Sequence, residues 1–254
     1  MIGCDCRVCR SHDPRDQRTR PSVLIRYPGI ETGQTCQYLI DTAPEMRIQA
    51  IRHDITRLDG VLITHAHADH IFGLDDLRRF NVVMDAPLDL HAEADTLVKL
   101  QKIFSYIFDP RQNTNYTFVA KLLPHPLTVG APVSLGTALW TPLRLMHGRL
   151  PILGFRVDYD GHALAYCTDA SAIPPESYPL LADLDVLVID ALRYKHHPTH
   201  FTIDQALDQI EHIRPQRAYL THIAHDVLHV DLEARLPEHV FLSFDGLVIS
   251  CAGR

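Results

Sequence analysis

Short apolar runs alternate along the chain with longer amphipathic stretches. The apolar runs have the length of strands, and strands are predicted over 22–27, 37–40, 60–64, 138–146, 153–159, 163–168, 185–189, 218–221, 240–244 and 248–251. Helical spacing of apolar positions predicts helices over 44–52, 94–107, 176–182, 203–213 and 232–236. For the helix predicted over 203–213, Thr202 is a plausible N-cap and Pro215 a plausible C-terminal stop. Strands that alternate with helices predict a layered α/β fold.

The length and charge of the chain limit the number of domains and the classes of partner to be expected. A chain of 254 residues suits one large domain or two small ones, and we expect a single domain over residues 1–254. The net charge is −7, which argues against a broad basic surface for long nucleic acid. The negative net charge is still compatible with a small phosphorylated substrate, because bound divalent cations would make the charge at the site locally positive.

The cysteines and the apolar segments bear on the compartment. Three of the six cysteines lie in the first nine residues and the others are scattered, which is unlike a dense disulfide scaffold and favours a reducing compartment. The first ten residues contain no apolar signal segment, and no apolar run approaches the length of a membrane span. We therefore expect a cytoplasmic protein with no membrane partner.

The strongest chemical motif directly follows the apolar strand predicted over 60–64. Four potential metal ligands occur within six residues: His65, His67, Asp69 and His70. In extended backbone, side chains two residues apart point the same way, so the first two histidines can hold one metal. The carboxylate and the last histidine can then face a second metal, and this ligand set suits Zn²⁺, Mn²⁺ or Fe²⁺.

Three further residues each end a predicted strand, where α/β sheets present their sites. They are His147, Asp169 and His222. Taken singly, each is equally well explained as a core or loop residue. Taken with the histidine motif, they indicate a two-metal site, in which Asp169 is the best candidate for a carboxylate shared by both ions.

The His-x-His-x-Asp-His run, with His147, Asp169 and His222 after it in this order, resembles the signature of the metallo-β-lactamase superfamily. The resemblance implies an αββα sandwich with the metal site at the edge between two sheets. It implies one metal on His65, His67, His147 and Asp169, and another on Asp69, His70, Asp169 and His222. A bridging hydroxide would be the nucleophile. Asp41 looks like the family's aspartate that orients a ligand histidine.

Four local motifs are similar to those of PhnP-type phosphodiesterases, which cleave a ribosyl cyclic phosphate in phosphonate breakdown. They lie at residues 4–9 with 13–20, 73–78, 190–193 with 197–200, and 221–225. The resemblance also suggests a homodimer. Relatives usually have a first strand before the cysteine cluster, whereas this chain begins almost at the cluster. We expect either a misassigned start or a missing edge strand.

Two candidate sites depend on this closer resemblance. Three thiolates are available from Cys4, Cys6 and Cys9, and tetrahedral zinc requires a fourth ligand. The resemblance implies that this ligand is His225. The alternative is three free thiols in a mobile N-terminus. His200 matches a family histidine near the metals that is not a ligand. It either binds phosphate or protonates the leaving oxygen, or it only hydrogen-bonds within its loop.

The sequence thus predicts a phosphodiesterase that hydrolyses a small phosphorylated compound, either a cyclic phosphate or a nucleotide. Two Mn²⁺ or Zn²⁺ ions and one structural Zn²⁺ are its predicted cofactors, and Asp69 and His200 its predicted catalytic residues. A tRNA 3′-processing nuclease would need a basic arm. A glyoxalase II-like thioesterase or lactonase gives no reason for the cysteine cluster. A non-catalytic carrier on the same fold is the alternative outside enzymes.

Overall fold

The computed structural model describes residues 1–31, 33–113 and 118–251, and it divides into two compact units. The five-stranded unit is Arg20–Thr128, and the seven-stranded unit comprises Met1–Thr19 and Val129–Arg254. Each unit has its own sheet and its own hydrophobic core. Sheets accompanied by helices confirm the predicted α/β class. The assignment of one domain to residues 1–254 stays a prediction.

The five-stranded unit contains β1 (Val23–Pro28), β2 (Thr35–Ile40), β3 (Gly60–Leu62), β4 (Leu88–Glu93) and β5 (Leu122–Leu127), adjacent in that order. The first pair is antiparallel and the remaining pairs are parallel. Its helices are α1 (Met46–Arg52), α2 (Ala68–Ile71), α3 (Arg78–Met84), α4 (Ala94–Ile103) and α5 (Ser105–Phe108). Apolar residues of β2, β3 and β4 pack with these helices in one core.

The seven-stranded unit contains β6 (Val133–Leu135), β7 (Ala138–His147), β8 (Leu150–Tyr159), β9 (His162–Cys167), β10 (Val186–Asp190), β11 (Arg217–Thr221) and β12 (Val240–Leu242). Its sheet has the order β12-β11-β10-β9-β8-β7-β6. Strands β6 to β9 are antiparallel neighbours, and β9 to β12 are parallel neighbours. Helices α6 (Ile203–Ile213) and α7 (His229–Glu233) belong to this unit.

Parallel pairing brings polar residues to one edge of the seven-stranded sheet. Ile189 of β10 lies opposite Cys167 of β9, and Asp190 lies opposite Thr221 of β11. Asp169, Asp190 and His222 therefore stand at neighbouring carboxyl ends of three parallel strands. This is the edge at which α/β sheets place their ligand-binding residues.

The hydrophobic pattern predicts some elements well and others poorly. Helix α6 has the predicted bounds, and Thr202 and Gln205 form a capping box at its start. The helix predicted over 176–182 is present as a 3₁₀-helix, Pro175–Leu181, which contains Pro179. The strand predicted over 248–251 is wrong: this segment pairs with no other strand, and the carbonyl of Ser250 accepts a hydrogen bond from Arg217.

Strand β5 was missed because its sequence contains Pro124 and Pro126, which weaken a strand prediction. The structure places β5 at the edge of its sheet, the position where missing backbone N–H groups are tolerated. Within the described residues, none of the helices combines the length and the apolar character required to span a bilayer. Residues 108–115 form a polar stretch of the sequence, and its last two residues, Thr114 and Asn115, lie outside the described residues.

His91 is a buried histidine in β4 that belongs to no predicted site. Only 5% of its surface is exposed, and neither ring nitrogen has a hydrogen-bond partner among the described residues. Its ring stacks on that of His125 at a centroid distance of 4.9 Å, and His125 Nε2 is 2.8 Å from Asp89 Oδ1. Burial lowers the pKa of His91 to about 4, because a charged imidazolium there would lose its hydration.

We expect His91 to make the fold acid-sensitive. The unfolded chain takes up this proton near pH 6.5 and the folded chain only near pH 4, so the stabilisation is complete above pH 6.5 and is lost as the pH falls towards 4. The loss is about 2 kcal/mol once partial solvent screening is allowed for. Urea unfolding of His91→Leu across this range should show a flatter pH dependence than the wild type. The exposed control His53→Leu should keep the wild-type slope.

Candidate functional site

The histidine motif follows β3 in the five-stranded unit. His65 is buried and His67 is exposed, and their rings lie 4.5 Å apart between centroids. His70, in α2, is fully buried, with its ring 4.4 Å from that of His65. Asp69 is partly exposed, and its Oδ2 is 3.6 Å from His70 Nε2. The four predicted ligands therefore lie together.

Asp41 controls the orientation of two of these histidines. It follows β2 in a left-handed conformation, with φ of 61°, and is fully buried. Its Oδ2 accepts a 2.7 Å hydrogen bond from His70 Nδ1 and a 2.8 Å hydrogen bond from Thr64 Oγ1. Thr64 Oγ1 in turn accepts from His65 Nδ1 at 3.0 Å. In both neutral rings the lone pair is thereby placed on Nε2, the nitrogen that can bind a metal.

A close backbone contact fixes Asp41 relative to α2. The N–H of Thr42 donates to the carbonyl of His70 at 2.8 Å, and the N–H of Gly73 donates to the carbonyl of Thr42 at 2.9 Å. A Cβ atom at position 73 would lie 2.3 Å from the carbonyl oxygen of Ala43, so only glycine permits this approach. Burial raises the pKa of Asp41, while the contact with His70 favours its charged form.

The seven-stranded unit brings together a second group. Ligand atoms of His147, Asp169 and His200 lie within 4.8 Å of one another, as do those of Asp190, His200 and His222. His222 Nε2 is 3.3 Å from Asp169 Oδ1. Asp169 and His222 both have positive φ, of 55° and 60°; His222 follows β11 directly, and Asp169 lies two residues after the end of β9. Such backbone conformations are costly for residues with side chains and often mark functional sites.

The ring orientation of two histidines in this group is also fixed through Nδ1. His147 Nδ1 donates to the carbonyl oxygens of Asp169 at 2.9 Å and Thr199 at 2.8 Å. His200 Nδ1 donates to Asp190 Oδ2 at 2.9 Å. Both neutral rings therefore carry their lone pair on Nε2, as His65 and His70 do.

The role of Asp190 was missed by the sequence analysis, which treated it only as part of a resembling motif. Asp190 is fully buried, and burial raises its pKa well above the ordinary value for an aspartate. It ends β10 much as Asp169 follows β9, and this strand-end position was the signal that could have identified it. Its carboxylate orients the ring of His200, and the catalytic role of His200 stays a prediction.

The N-terminal cysteine cluster lies in the seven-stranded unit and surrounds one imidazole nitrogen. His225 Nδ1 is 3.4 Å from Cys4 Sγ, 3.5 Å from Cys6 Sγ and 3.7 Å from Cys9 Sγ. Ordinary tetrahedral Zn–S and Zn–N bonds place sulfur and nitrogen about 3.6 Å apart. The pKa of Cys6 is lowered to about 6, chiefly by the backbone N–H of Cys9 and then by His225. The donors therefore fit a closed zinc site.

A buried ion pair ties the N-terminal segment to the loop that carries His222 and His225. Arg18 Nη1 donates to the carbonyls of Ala224 at 3.1 Å and Val227 at 2.9 Å, and Nη2 is 3.0 Å from Asp16 Oδ1. The same carboxylate oxygen accepts the backbone N–H of His229 at 2.9 Å. The motif at residues 13–20 therefore has a structural role that the sequence analysis did not assign.

Comparisons with known proteins identify the family of the chain. A family described as "Beta-lactamase superfamily domain" matches residues 37–223. A crystal structure described as a new diphosphatase from the PhnP family has a TM-score of 0.85 and 39% identity, covering 97% of this chain and 90% of that chain. Zn²⁺-bound PqqB from Methylobacterium extorquens has a TM-score of 0.75 at 17% identity, covering 98% and 94%, a likeness of fold alone.

A curated relative is named octanoyltransferase, from Porphyromonas gingivalis (strain ATCC BAA-308 / W83). It is 38% identical over 250 residues, which cover 97% of this chain and 48% of that protein. The chain therefore spans about half the length of this relative. The family match covers most of the chain, and the PhnP-family structure matches nearly all of it at high identity. The chain belongs to the beta-lactamase superfamily and, within it, to the PhnP family.

Proposed function

We propose that this chain is a metal-dependent phosphodiesterase acting on a small phosphorylated substrate, either a cyclic phosphate, a nucleotide or a diphosphate. Its family and fold are those of metal-dependent hydrolases, and the similar PhnP-family structure is named a diphosphatase. The observation that carries the proposal is the fixed ring orientation of four histidines. Nδ1 is held in each of His65, His70, His147 and His200.

Two divalent ions, Mn²⁺ or Zn²⁺, are the proposed cofactors. As the family resemblance implies, one would be held by His65, His67, His147 and Asp169, and the other by Asp69, His70, Asp169 and His222. Imidazole nitrogens with carboxylate oxygens are suitable donors for both metals. When bound, such ions polarise the phosphoryl oxygens and lower the pKa of water.

His200 is the proposed general acid. Its Nδ1 is held by Asp190, and its ring lies 4.7 Å from that of His147 and 4.8 Å from that of His222. A protonated Nε2 in this position can donate to the oxygen that leaves phosphorus, or bind a phosphoryl oxygen. Asp69 is more exposed than the other acids of the set, which suits a carboxylate that also accepts a proton from the attacking water.

The cysteine cluster has a separate proposed role. A zinc ion held by Cys4, Cys6, Cys9 and His225 has four protein ligands and no open position, so it is structural. Asp16 and Arg18 hold the same loop from the other side. This arrangement supports a zinc that anchors residues 1–19 to the loop carrying His222.

Hydrolysis of bis(p-nitrophenyl) phosphate tests the proposed function. Metal-free protein given back Mn²⁺ or Zn²⁺ should hydrolyse this diester at least about 100-fold faster than the metal-free sample, because metal sites supply several kcal/mol of charge stabilisation. The monoester p-nitrophenyl phosphate and an octanoyl thioester, run in parallel, should react much more slowly.

Each alternative predicts a different outcome of this assay. Preferred turnover of the thioester would favour a glyoxalase II-like activity or the acyl chemistry in the name of the longer relative. Full metal loading without turnover of any of the three compounds would favour the carrier. Cleavage of precursor tRNA without cleavage of the small diester would favour the 3′-processing nuclease. Any of these outcomes would contradict the phosphodiesterase proposal.

A further inference from the structure

An exposed aromatic ring stands next to the histidine motif of the five-stranded unit. Phe72 has 56% of its surface exposed, although it directly follows two fully buried residues, His70 and Ile71. Asp69 lies in α2 and Phe72 is the C-cap of that helix, and side chains three residues apart share one helix face. The phenyl ring therefore lies on the face that carries a proposed metal ligand, and a molecule bound at this motif has Phe72 as a neighbour.

The backbone around Phe72 is fixed on both sides. Its own N–H donates to the carbonyl of Ala68 at 3.1 Å, with helical φ and ψ of −75° and −3°. The next N–H, that of Gly73, donates to the carbonyl of Thr42 at 2.9 Å. The exposed ring is thus carried by a rigid turn and not by a loose loop, which favours a binding role over a chance exposure.

A second exposed aromatic side chain, Tyr106 of α5, belongs to the same surface. Phe104, which is 8% exposed, lies edge-to-face with Phe72 at a centroid distance of 6.3 Å and an interplanar angle of 87°. Tyr106 follows Phe104 by two residues, is 37% exposed, and donates through its hydroxyl to Asp75 Oδ1 at 2.9 Å. These two contacts join segments 72–75 and 104–106. We refer to Phe72 and Tyr106 together as the aromatic platform.

The chemistry of the aromatic platform matches a planar ring. Single exposed apolar residues are common, but two rings joined by their neighbours beside a ligand motif are not scattered singly. The hydroxyl of Tyr106 is engaged by Asp75, so the platform presents ring surface more than hydrogen-bonding groups. Nucleobases stack on such surfaces of Phe and Tyr, whereas an alkyl chain or a bare sugar gains no stacking.

We propose that the aromatic platform stacks a nucleobase of the substrate and that Phe72 is the specificity-determining residue. The inference rests on the proposed function, because it selects the nucleotide from the phosphorylated compounds considered for the same site. A cyclic phosphate or diphosphate of a sugar alone lacks the planar group that the platform contacts, so such a compound is expected to bind more weakly than a nucleotide.

The kinetic test compares two diesters that share one leaving group, p-nitrophenyl thymidine 5′-phosphate and the same ester of abasic deoxyribose. The wild type should prefer the nucleoside ester at least about fivefold in kcat/KM, mainly through KM, because a stacked base strengthens binding. Phe72→Leu, which keeps an apolar contact with Phe104, should bring the ratio of the two kcat/KM values close to one. Phe72→Tyr keeps a ring and should retain the preference.

Phe118→Leu is the matched control for these variants. Phe118 is a similarly exposed phenylalanine, at 45%, and lies with Pro87 and Lys121 beyond the end of α3. This variant should keep the wild-type ratio. Absence of a preference in the wild type, or an unchanged ratio in Phe72→Leu, would overturn the proposal.

A binding measurement separates this inference from the proposed function. In calorimetric titrations of the metal-loaded wild type, AMP should bind at least about fivefold more tightly than ribose 5-phosphate, and Phe72→Leu should lose this difference. Equal binding of the two compounds by the wild type, or tighter binding of octyl phosphate than of AMP, would refute the platform. An AMP preference that depends on Phe72, in a protein that hydrolyses no diester, would support the platform and contradict the phosphodiesterase.

Discussion

Replacing Asp169 by asparagine is expected to lower kcat for a phosphodiester about a thousandfold or more, which corresponds to about 4 kcal/mol of transition-state stabilisation. Asp169 is the proposed carboxylate shared by both ions, and only 2% of its surface is exposed to solvent. Its Oδ1 accepts from Thr168 Oγ1 at 2.7 Å. Asparagine keeps the side-chain volume but removes the negative charge that offsets two cations.

Metal content should fall together with activity in this variant. Inductively coupled plasma spectrometry should find at least one active-site ion fewer per chain in Asp169→Asn, while circular dichroism stays that of the wild type. Asp208→Asn is the matched control, since Asp208 is an exposed aspartate on α6. If Asp169→Asn keeps full metal content and more than half of the activity, Asp169 does not bridge the ions and the proposed ligand set is wrong.

The sequence predicts the histidine motif well because its geometry is local. His65, His67, Asp69 and His70 lie within six residues, so strand and turn geometry alone bring them together. Helix α6 is predicted for the same reason, since its capping box involves residues only three apart. Elements defined by contacts distant in sequence were predicted less well. Strand β5, with its two prolines, is stabilised by pairing to β4, which no local pattern reveals.

The details that make the histidines suitable as ligands could not be predicted, because they depend on backbone atoms far away in the chain. His147 Nδ1 is held by the carbonyls of Asp169 and Thr199, 22 and 52 residues further on. Every residue has a carbonyl, so no side-chain pattern marks these two. Asp190 is different. It ends an apolar strand, so the criterion that selected Asp169 and His222, a ligand-type residue at the end of an apolar strand, also selects Asp190.

The association of the cysteine cluster with His225 could be predicted only from the family resemblance and not from the local sequence pattern. Cys9 and His225 are 216 residues apart, and spacing alone gives no reason to join them. The structure places all three sulfurs at similar distances from one nitrogen. The same loop is also bound by Arg18. The N-terminal segment and the loop at 222–229 therefore depend on each other, so that loss of one contact should affect both.

Replacing Cys6 by serine is accordingly expected to remove one zinc per chain and to lower the Tm by roughly 10 °C, because structural zinc sites contribute directly to folding free energy. Zinc content and thermal unfolding measure the two effects. Cys251→Ser is the matched control, because Cys251 is also a partly buried free cysteine but lies outside the cluster. An unchanged zinc content and Tm in Cys6→Ser would mean that the cysteines are free thiols.

Activity in the same variant tests whether the zinc acts beyond the N-terminus. His225 follows His222 by three residues, and Arg18 fixes the carbonyls of Ala224 and Val227 between and after them. Loss of the zinc leaves this loop held from one side only, so we expect kcat to fall about tenfold at temperatures where the protein is still folded, since a small misplacement of a catalytic group is costly. Lower stability with unchanged kcat would instead show that Arg18 and Asp16 are sufficient to position His222.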